Sequence, residues 1–393
     1  MSTELSDVLD LRALRRGRVA RLQAAMRRHD VEVCLLFNEP NIRYATSVSA
    51  MPVWSNTTFV RAALVPAEGE PVLFEHGNSI HRARGLVDDV RPMTAWDFYD
   101  DPSAQAARWA REMQAALRET GVSGDRVAID RLGTPGTLAL GDIGIEVVDS
   151  TLVTQQARQV KTPEEVRLFE FNGEIVVEML AALEEAVEPG VSERDLLATM
   201  ADAGLRRGIE HLATNTVCGG TNANPWRAEA TGRPLRDGEI VFVDTDTVGA
   251  GGAFFCVSRT FPVGPTPPSA AQRATYRDAY EWLQGMLEIV RPGVTCGEIA
   301  ERAPRLDEKY LPQRYECMIH GIGLEEENPS VCYPIDQQSN ADTVIEADML
   351  LVVELYAGEV GGDHGVKLGE QIHVTADGPR ILAPYPFSDA LLQ

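Results

Sequence analysis

Hydrophobic positions in the first third of the chain follow two periods in alternation. In "LRALRRGRVARLQAAMRRH" (11–29) Leu, Val and Met recur at helical spacing among arginines, which predicts an amphipathic helix. Short apolar runs in "EVCLLF" (32–37), "IRYATS" (42–47) and "RAALVPAEGEPVLF" (61–74) read as strands. A helix fits "PSAQAARWAREMQAALRET" (102–120), and a strand fits "DRVAID" (125–130). This alternation predicts an α/β domain over residues 1–155.

A second domain is expected over 156–393. It opens at Thr162-Pro163-Glu164-Glu165, a helix start with a capping hydroxyl, proline in the first turn and two acids beside it. "SERDLLATMADAGLRRG" (192–208) begins with another cap and leads to a strand in "TNTVCGG" (214–220). The stretch "VDTDTVGAGGAFFCVSRTF" (243–261) combines strand residues with a Gly-rich turn. Helices fit 270–290 and 295–311, a loop fits "MIHGIGLEEENPS" (318–330), and strands fit "MLLVVELYA" (349–357) and "GVKLGEQIHVT" (365–375). No internal repeat and no low-complexity linker interrupts this order.

Length supports two domains, because 393 residues exceed the size at which one core stops growing, about 250–300 residues. No stretch approaches the ~20 apolar residues of a membrane helix. The N-terminal residues lack an apolar signal core, so a cytoplasmic protein is expected. The six cysteines form no CxxC pair and read as buried thiols. A net charge of -23, from 59 acidic against 36 basic residues, repels nucleic acid and anionic lipid and attracts cationic or zwitterionic solutes.

Four separated segments each bring polar groups to a strand end or turn: Asp244 with Asp246, His320, Glu354 and Glu370. Glu354 interrupts the apolar run "LLVVELY", and a charge in a buried strand costs several kcal/mol unless paired or metal-bound. Gly321 and Gly323 beside His320 permit a close backbone approach. These features predict one shared site.

The markers "VDTDTVG…SRTF", "HGIGL…NP", "VVELYAG" and "GVKLGEQIHVT", in this order, resemble the pita-bread family of creatinase, aminopeptidase P, prolidase and methionine aminopeptidase. The resemblance spans almost the whole chain. It implies a small creatinase-like α/β domain followed by a pita-bread domain, and a homodimer. Within the family, "NEPNIRYATSVSAMPVW", "TNANPW", "DTDTVGAGG" and "APYPFSDALL" are similar to the dimethylsulfoniopropionate lyase branch.

Metal-bearing members hold two ions with two Asp, one His and two Glu. The resemblance maps the first Asp to Asp244 or Asp246, the His to His320 and the first Glu to Glu354. It maps the second Asp to Cys256 and the last Glu to Gly369, with Glu370 one residue beyond and so on the opposite strand face. Both losses fall on carboxylates that bridge the ions. A metal-free site is therefore favoured. One divalent ion, zinc or iron, on Asp246, His320, Glu354 and Cys256 is the alternative, with Glu370 joining only if a bulge turns it inward.

Peptidase histidines are also missing: Trp226 stands at one of their places and Glu326 or Glu327 at the other. The catalytic candidates are His320 as a base, Glu326 as the carboxylate matching the lyase base, and Cys256 as a nucleophile or a packing thiol. The substrate-binding candidates are Trp54, Trp226 and Tyr315, through cation–π attraction, with Asp246 and Glu327. The expected function is C–N hydrolysis or β-elimination on a small cationic or zwitterionic metabolite. The alternatives are a metal-dependent lyase or hydrolase and a binding module that has lost catalysis. A site emptied of metals is expected to be strongly negative.

Overall fold

Thr162 starts the helix Pro163–Glu185 as its sequence indicates. Its hydroxyl accepts from the Glu165 amide, and the Glu165 carboxylate accepts from the Thr162 N–H at 3.0 Å. The same reciprocal capping box opens Glu193–Arg207, Ala270–Ile289 and Cys296–Arg302. The last of these is shorter than its apolar pattern suggests. Pro304 follows it, and the residue before a proline is pushed out of the helical region.

The computed structural model describes residues 5–55, 58–122, 125–226, 229–336 and 340–393. It divides into two compact units, Leu9–Arg158 on one side and Gln159–Gln393 with the N-terminal residues to Val8 on the other. Among the described residues no helix is long and apolar enough to cross a membrane.

The first unit is an α/β domain. Its six-stranded sheet runs Asp89–Pro92, Val72–Glu75, Ala62–Pro66, Val33–Leu36, Arg126–Ile129, Glu146–Asp149. Leu35, Leu64, Trp109, Met113 and Ile129 belong to its core. The "IRYATS" run is not a strand. It completes the helix Glu39–Thr46, which Pro40 opens and Ser47 closes in a left-handed conformation at φ 56°. Its six consecutive buried positions, Asn41 to Thr46, leave no polar face and so no helical period in the sequence.

The second unit is built on a curled antiparallel sheet. Its strands run in the order Glu326–Cys332, Cys317–Ile322, Leu350–Gly358, Gly365–Thr375, Ser258–Pro262, Ile240–Asp244, Val217–Gly219, with Gly378–Ile381 pairing beside Gly365–Thr375. The "MIHGIGLEEENPS" segment, expected as a loop, is a hairpin of two of these strands. Leu351, Val353, Leu355 and Ala357 join Leu368 and Ile372 in the core that Tyr276, Trp282 and Met286 form on the helix side. Strand alternation then sends Val352, Glu354 and Tyr356, with Lys367, Gly369 and Gln371, to the other face. That face carries the site.

Candidate active site

Register sets the site before any side chain is considered. Asp244 lies opposite Ser258, Ser258 opposite Gly369, and Gly369 opposite Glu354, a row across four neighbouring strands. Two residues back from Ser258 stands Cys256, and two back from Gly369 stands Lys367, both on the same face. His320 is paired with Val352, which shares the face of Glu354. All of these side chains are buried.

The Lys367 ammonium sits among the acids. Its Nζ is 2.8 Å from Asp244 Oδ2 and forms a second ion pair with Glu354 Oε2. It also lies 5.0 Å from the ring centroids of Trp226 and Tyr315. Cys256 Sγ is 3.4 Å from Asp244 Oδ1 and 3.9 Å from Glu354 Oε2, so the thiol donates toward carboxylates. His320 Nδ1–H donates to the Gly321 carbonyl at 3.0 Å. Its Nε2 is 3.4 Å from Glu354 Oε1, a charge attraction without an aligned hydrogen bond. Asp246 Oδ2 accepts from Thr214 Oγ1 at 2.8 Å, while Asp246 Oδ1 is buried with no hydrogen-bond partner among the described residues.

These contacts set the charges. Burial would raise the Glu354 carboxyl, but the charges of Lys367 and His320 outweigh it and hold the group at about 2. Burial likewise would lower His320, and Glu354 instead brings the imidazole up to about 9, so it is a cation at neutral pH. Burial and the Asp244 charge raise Asp246 to about 7. Cys256 is pushed up by burial and then by Asp244 and Glu354, which keeps it a thiol and opposes a nucleophilic thiolate. Two cations, Lys367 and His320, thus face Asp244, Glu354 and a half-titrating Asp246. The strongly negative empty site expected from sequence is not present. Lys367 neutralises it, and the Trp226 and Tyr315 rings meet that internal ammonium.

The remaining candidates have other partners or surroundings. Glu370 points to the helix side, where Arg259 Nη2 pairs with it at 2.6 Å, and the regular pairing of its strand leaves no bulge to turn it inward. It is not in the cluster. Glu327 is buried against Lys161 at 2.7 Å and accepts from the Leu324 amide at 3.2 Å, so it anchors the hairpin rather than facing substrate. Glu326, beside it in the strand, is exposed, and its charge acts on both His320 and Tyr315, so it borders the cluster. Trp54 belongs to the first unit, stacked on His76 with ring centroids 5.2 Å apart.

Sequence inspection missed Lys367 and Ser258, both on the site face. The signal was available, since Lys367 precedes Gly369 by two residues and therefore shares its face. The donor set does not fit a dinuclear metal centre. Neither bridging carboxylate is present at 256 or 369, and an ammonium stands between Asp244 and Glu354.

Residues 18–160 match the creatinase/prolidase N-terminal domain and residues 168–376 match metallopeptidase family M24. Dimethylsulfoniopropionate lyase DddP of Roseovarius nubinhibens is 33% identical over 395 residues, covering 98% of this chain and 88% of that protein. The DddP lyase of Roseobacter denitrificans is also 33% identical, over 98% of this chain and 89% of its own length. Among solved structures, a Xaa-Pro dipeptidase from Bacillus anthracis superposes with a TM-score of 0.78 at 19% identity, covering 95% of this chain and 99% of the dipeptidase. The prolidase of Pyrococcus horikoshii gives 0.76 at 19% identity, covering 94% and 99%. The similarity to the dipeptidases establishes the fold, and the sequence matches establish the kinship: the chain belongs to metallopeptidase family M24, with a creatinase/prolidase-type domain at its N-terminal side.

Proposed function

We propose that this M24 protein is a lyase acting by β-elimination on a small zwitterionic carboxylate, without a dinuclear metal centre. The observation that carries the reading is a pair of unfilled buried polar atoms of opposite character. His320 Nε2 and Asp246 Oδ1 have no aligned partner, and both residues lie within reach of Cys256. An imidazolium donor suits a carboxylate, and a neighbouring acid suits an onium group. The kinship with dimethylsulfoniopropionate lyases supports the same substrate class.

In such a substrate a base takes the proton on the carbon next to the carboxylate. That electron pair forms the C=C bond, and the onium group leaves with the electrons of its bond to the β-carbon. Glu326 is the proposed base, exposed at the start of its strand. His320, already cationic, serves better as the group holding the carboxylate while negative charge builds on it than as the base expected from sequence. The proposed enzyme is cytoplasmic and homodimeric.

The test is incubation with dimethylsulfoniopropionate and with its trimethylammonio analogue, following the unsaturated acid. Formation of that acid, lost in Glu326→Gln, is the expected result. Urea released from a guanidino carboxylate, with no elimination, would instead establish C–N hydrolysis and overturn the proposal.

A further inference from the structure

We propose that Cys317 and Cys332 are a covalent-modification site, a cross-strand dithiol that glutathione disulfide oxidises to an intrachain disulfide. The link would staple the hairpin that carries His320, and it is independent of the lyase reading above.

The six cysteines, expected from sequence to be buried thiols, divide in the structure. Cys34, Cys218, Cys256 and Cys296 are buried, whereas Cys317 and Cys332 are half-buried. These two stand directly opposite each other at the open end of the hairpin, where Cys317–Ile322 pairs antiparallel with Glu326–Cys332. Opposed residues of an antiparallel pair have Cα atoms about 4.5–5.5 Å apart, inside the about 4.4–6.8 Å that a disulfide spans. A side-chain hydrogen bond joins the two thiols, so their sulfurs already meet. The Cys317 thiol also donates to the Ile319 carbonyl at 2.9 Å, a weak bond that the link would replace. Register rather than spacing brings the pair together, which is why no CxxC pattern reveals it.

The ladder between these strands is irregular. Its pairing shifts between Cys317 and Ile319 and again between His320 and Gly321, so it is interrupted on both sides of His320. A covalent link at the open end would remove the states in which the two strands separate there.

Oxidation proceeds in two exchanges. Cys332, the more open of the two, attacks as a thiolate one sulfur of glutathione disulfide, giving a mixed disulfide and expelling one glutathione thiolate. Cys317 gives its proton to solvent, attacks the Cys332 sulfur and expels the second glutathione thiolate. The protein thiols lose two electrons, and one glutathione disulfide is reduced to two thiols. Burial pushes Cys317 up to about 12, with the Cys332 and Glu354 charges adding to it, and burial, Asp336 and Glu316 raise Cys332. Thiolates are therefore scarce at neutral pH and exchange is slow. The reduced pair equally gains nothing from ionisation, so the disulfide, once formed, is no strong oxidant. In a reducing compartment the pair rests as thiols and closes as glutathione disulfide accumulates.

The experiment equilibrates the full chain in glutathione buffers of increasing oxidised fraction, quenches with acid, blocks free thiols with N-ethylmaleimide and maps linked peptides by mass spectrometry. A link between Cys317 and Cys332 within one chain is expected as the main product in oxidised buffer, reversed by dithiothreitol. Amide hydrogen exchange across 317–332 should slow at least about 10-fold in the linked protein, because opened states of the hairpin are lost. Cys317→Ser and Cys332→Ser should show neither the link nor the slowing. The proposal is overturned if both thiols stay free, if glutathione remains attached to either, or if the link joins another cysteine or a second chain. Unchanged or faster exchange in the linked protein would overturn it as well. Should a serine variant fail to fold, mapping and exchange of the wild type decide alone.

Discussion

Arg259 and Lys161 illustrate how single residues hold this site from outside it. Arg259 pairs with Glu370, donates to the carbonyls of Gly369 and Tyr385, and stacks 4.3 Å from the Phe387 ring centroid. Breaking a buried pair by removing one partner leaves an uncompensated charge, which costs about 3–5 kcal/mol. Arg259→Met should lower stability by that order, read as a shift in the urea midpoint. Adding Glu370→Met should recover part of the loss, because no orphan carboxylate then remains. The sequence reading already set Glu370 on the opposite face unless a bulge turned it inward, but it did not apply the same parity to Lys367. Parity along Gly365–Thr375 separates them: 367 and 369 share one face, and 370 belongs to the other.

At the scale of elements, the capped helices were legible, while the helix Glu39–Thr46 and the His320 hairpin were not. Thr162, Ser192, Ser269 and Thr295 each announce a capped start in four letters, so their helices begin where the chain says. The segment around His320 has two glycines and three consecutive acids, which look like a loop. Its strands form because neighbours complete them. Gly321 lets the Asn328 carbonyl approach, and Gly323 leaves room for the Glu327 carboxylate that Lys161 holds. Gly323→Ala would place a methyl group into that carboxylate. It is expected to cost about 1–3 kcal/mol of stability, checked by chemical denaturation. Thr162→Ala, which removes one helix cap, should cost only about 1 kcal/mol.

For the molecule as a whole, fold and chemistry separate. The chain superposes closely on a Xaa-Pro dipeptidase in fold, while Cys256 and Gly369 stand where the family resemblance places bridging carboxylates, and Lys367 pairs with Asp244 and Glu354. No cleavage of Xaa-Pro dipeptides is expected. Chelator-sensitive hydrolysis of such a dipeptide would show that metal chemistry survives here. The family was readable from ordered motifs across nearly the full length, because each motif serves a strand of the common sheet. The site's charge was not readable in that way. It depends on which residues face each other across strands far apart in sequence, as Asp244 and Lys367 do.

An ammonium carried on its own side chain differs from a captured ion in supply. A metalloenzyme's active fraction follows the free concentration of its ion, and a competing metal can occupy the same ligands. The charge at position 367 arrives with translation and cannot be diluted, chelated or exchanged. On the metal-free reading proposed above, activity should survive prolonged dialysis against EDTA, and a loss restored by added ion would overturn that reading. The corresponding cost is fixity, because a lysine offers one charge, no open coordination position and no way to retune the site by changing ions.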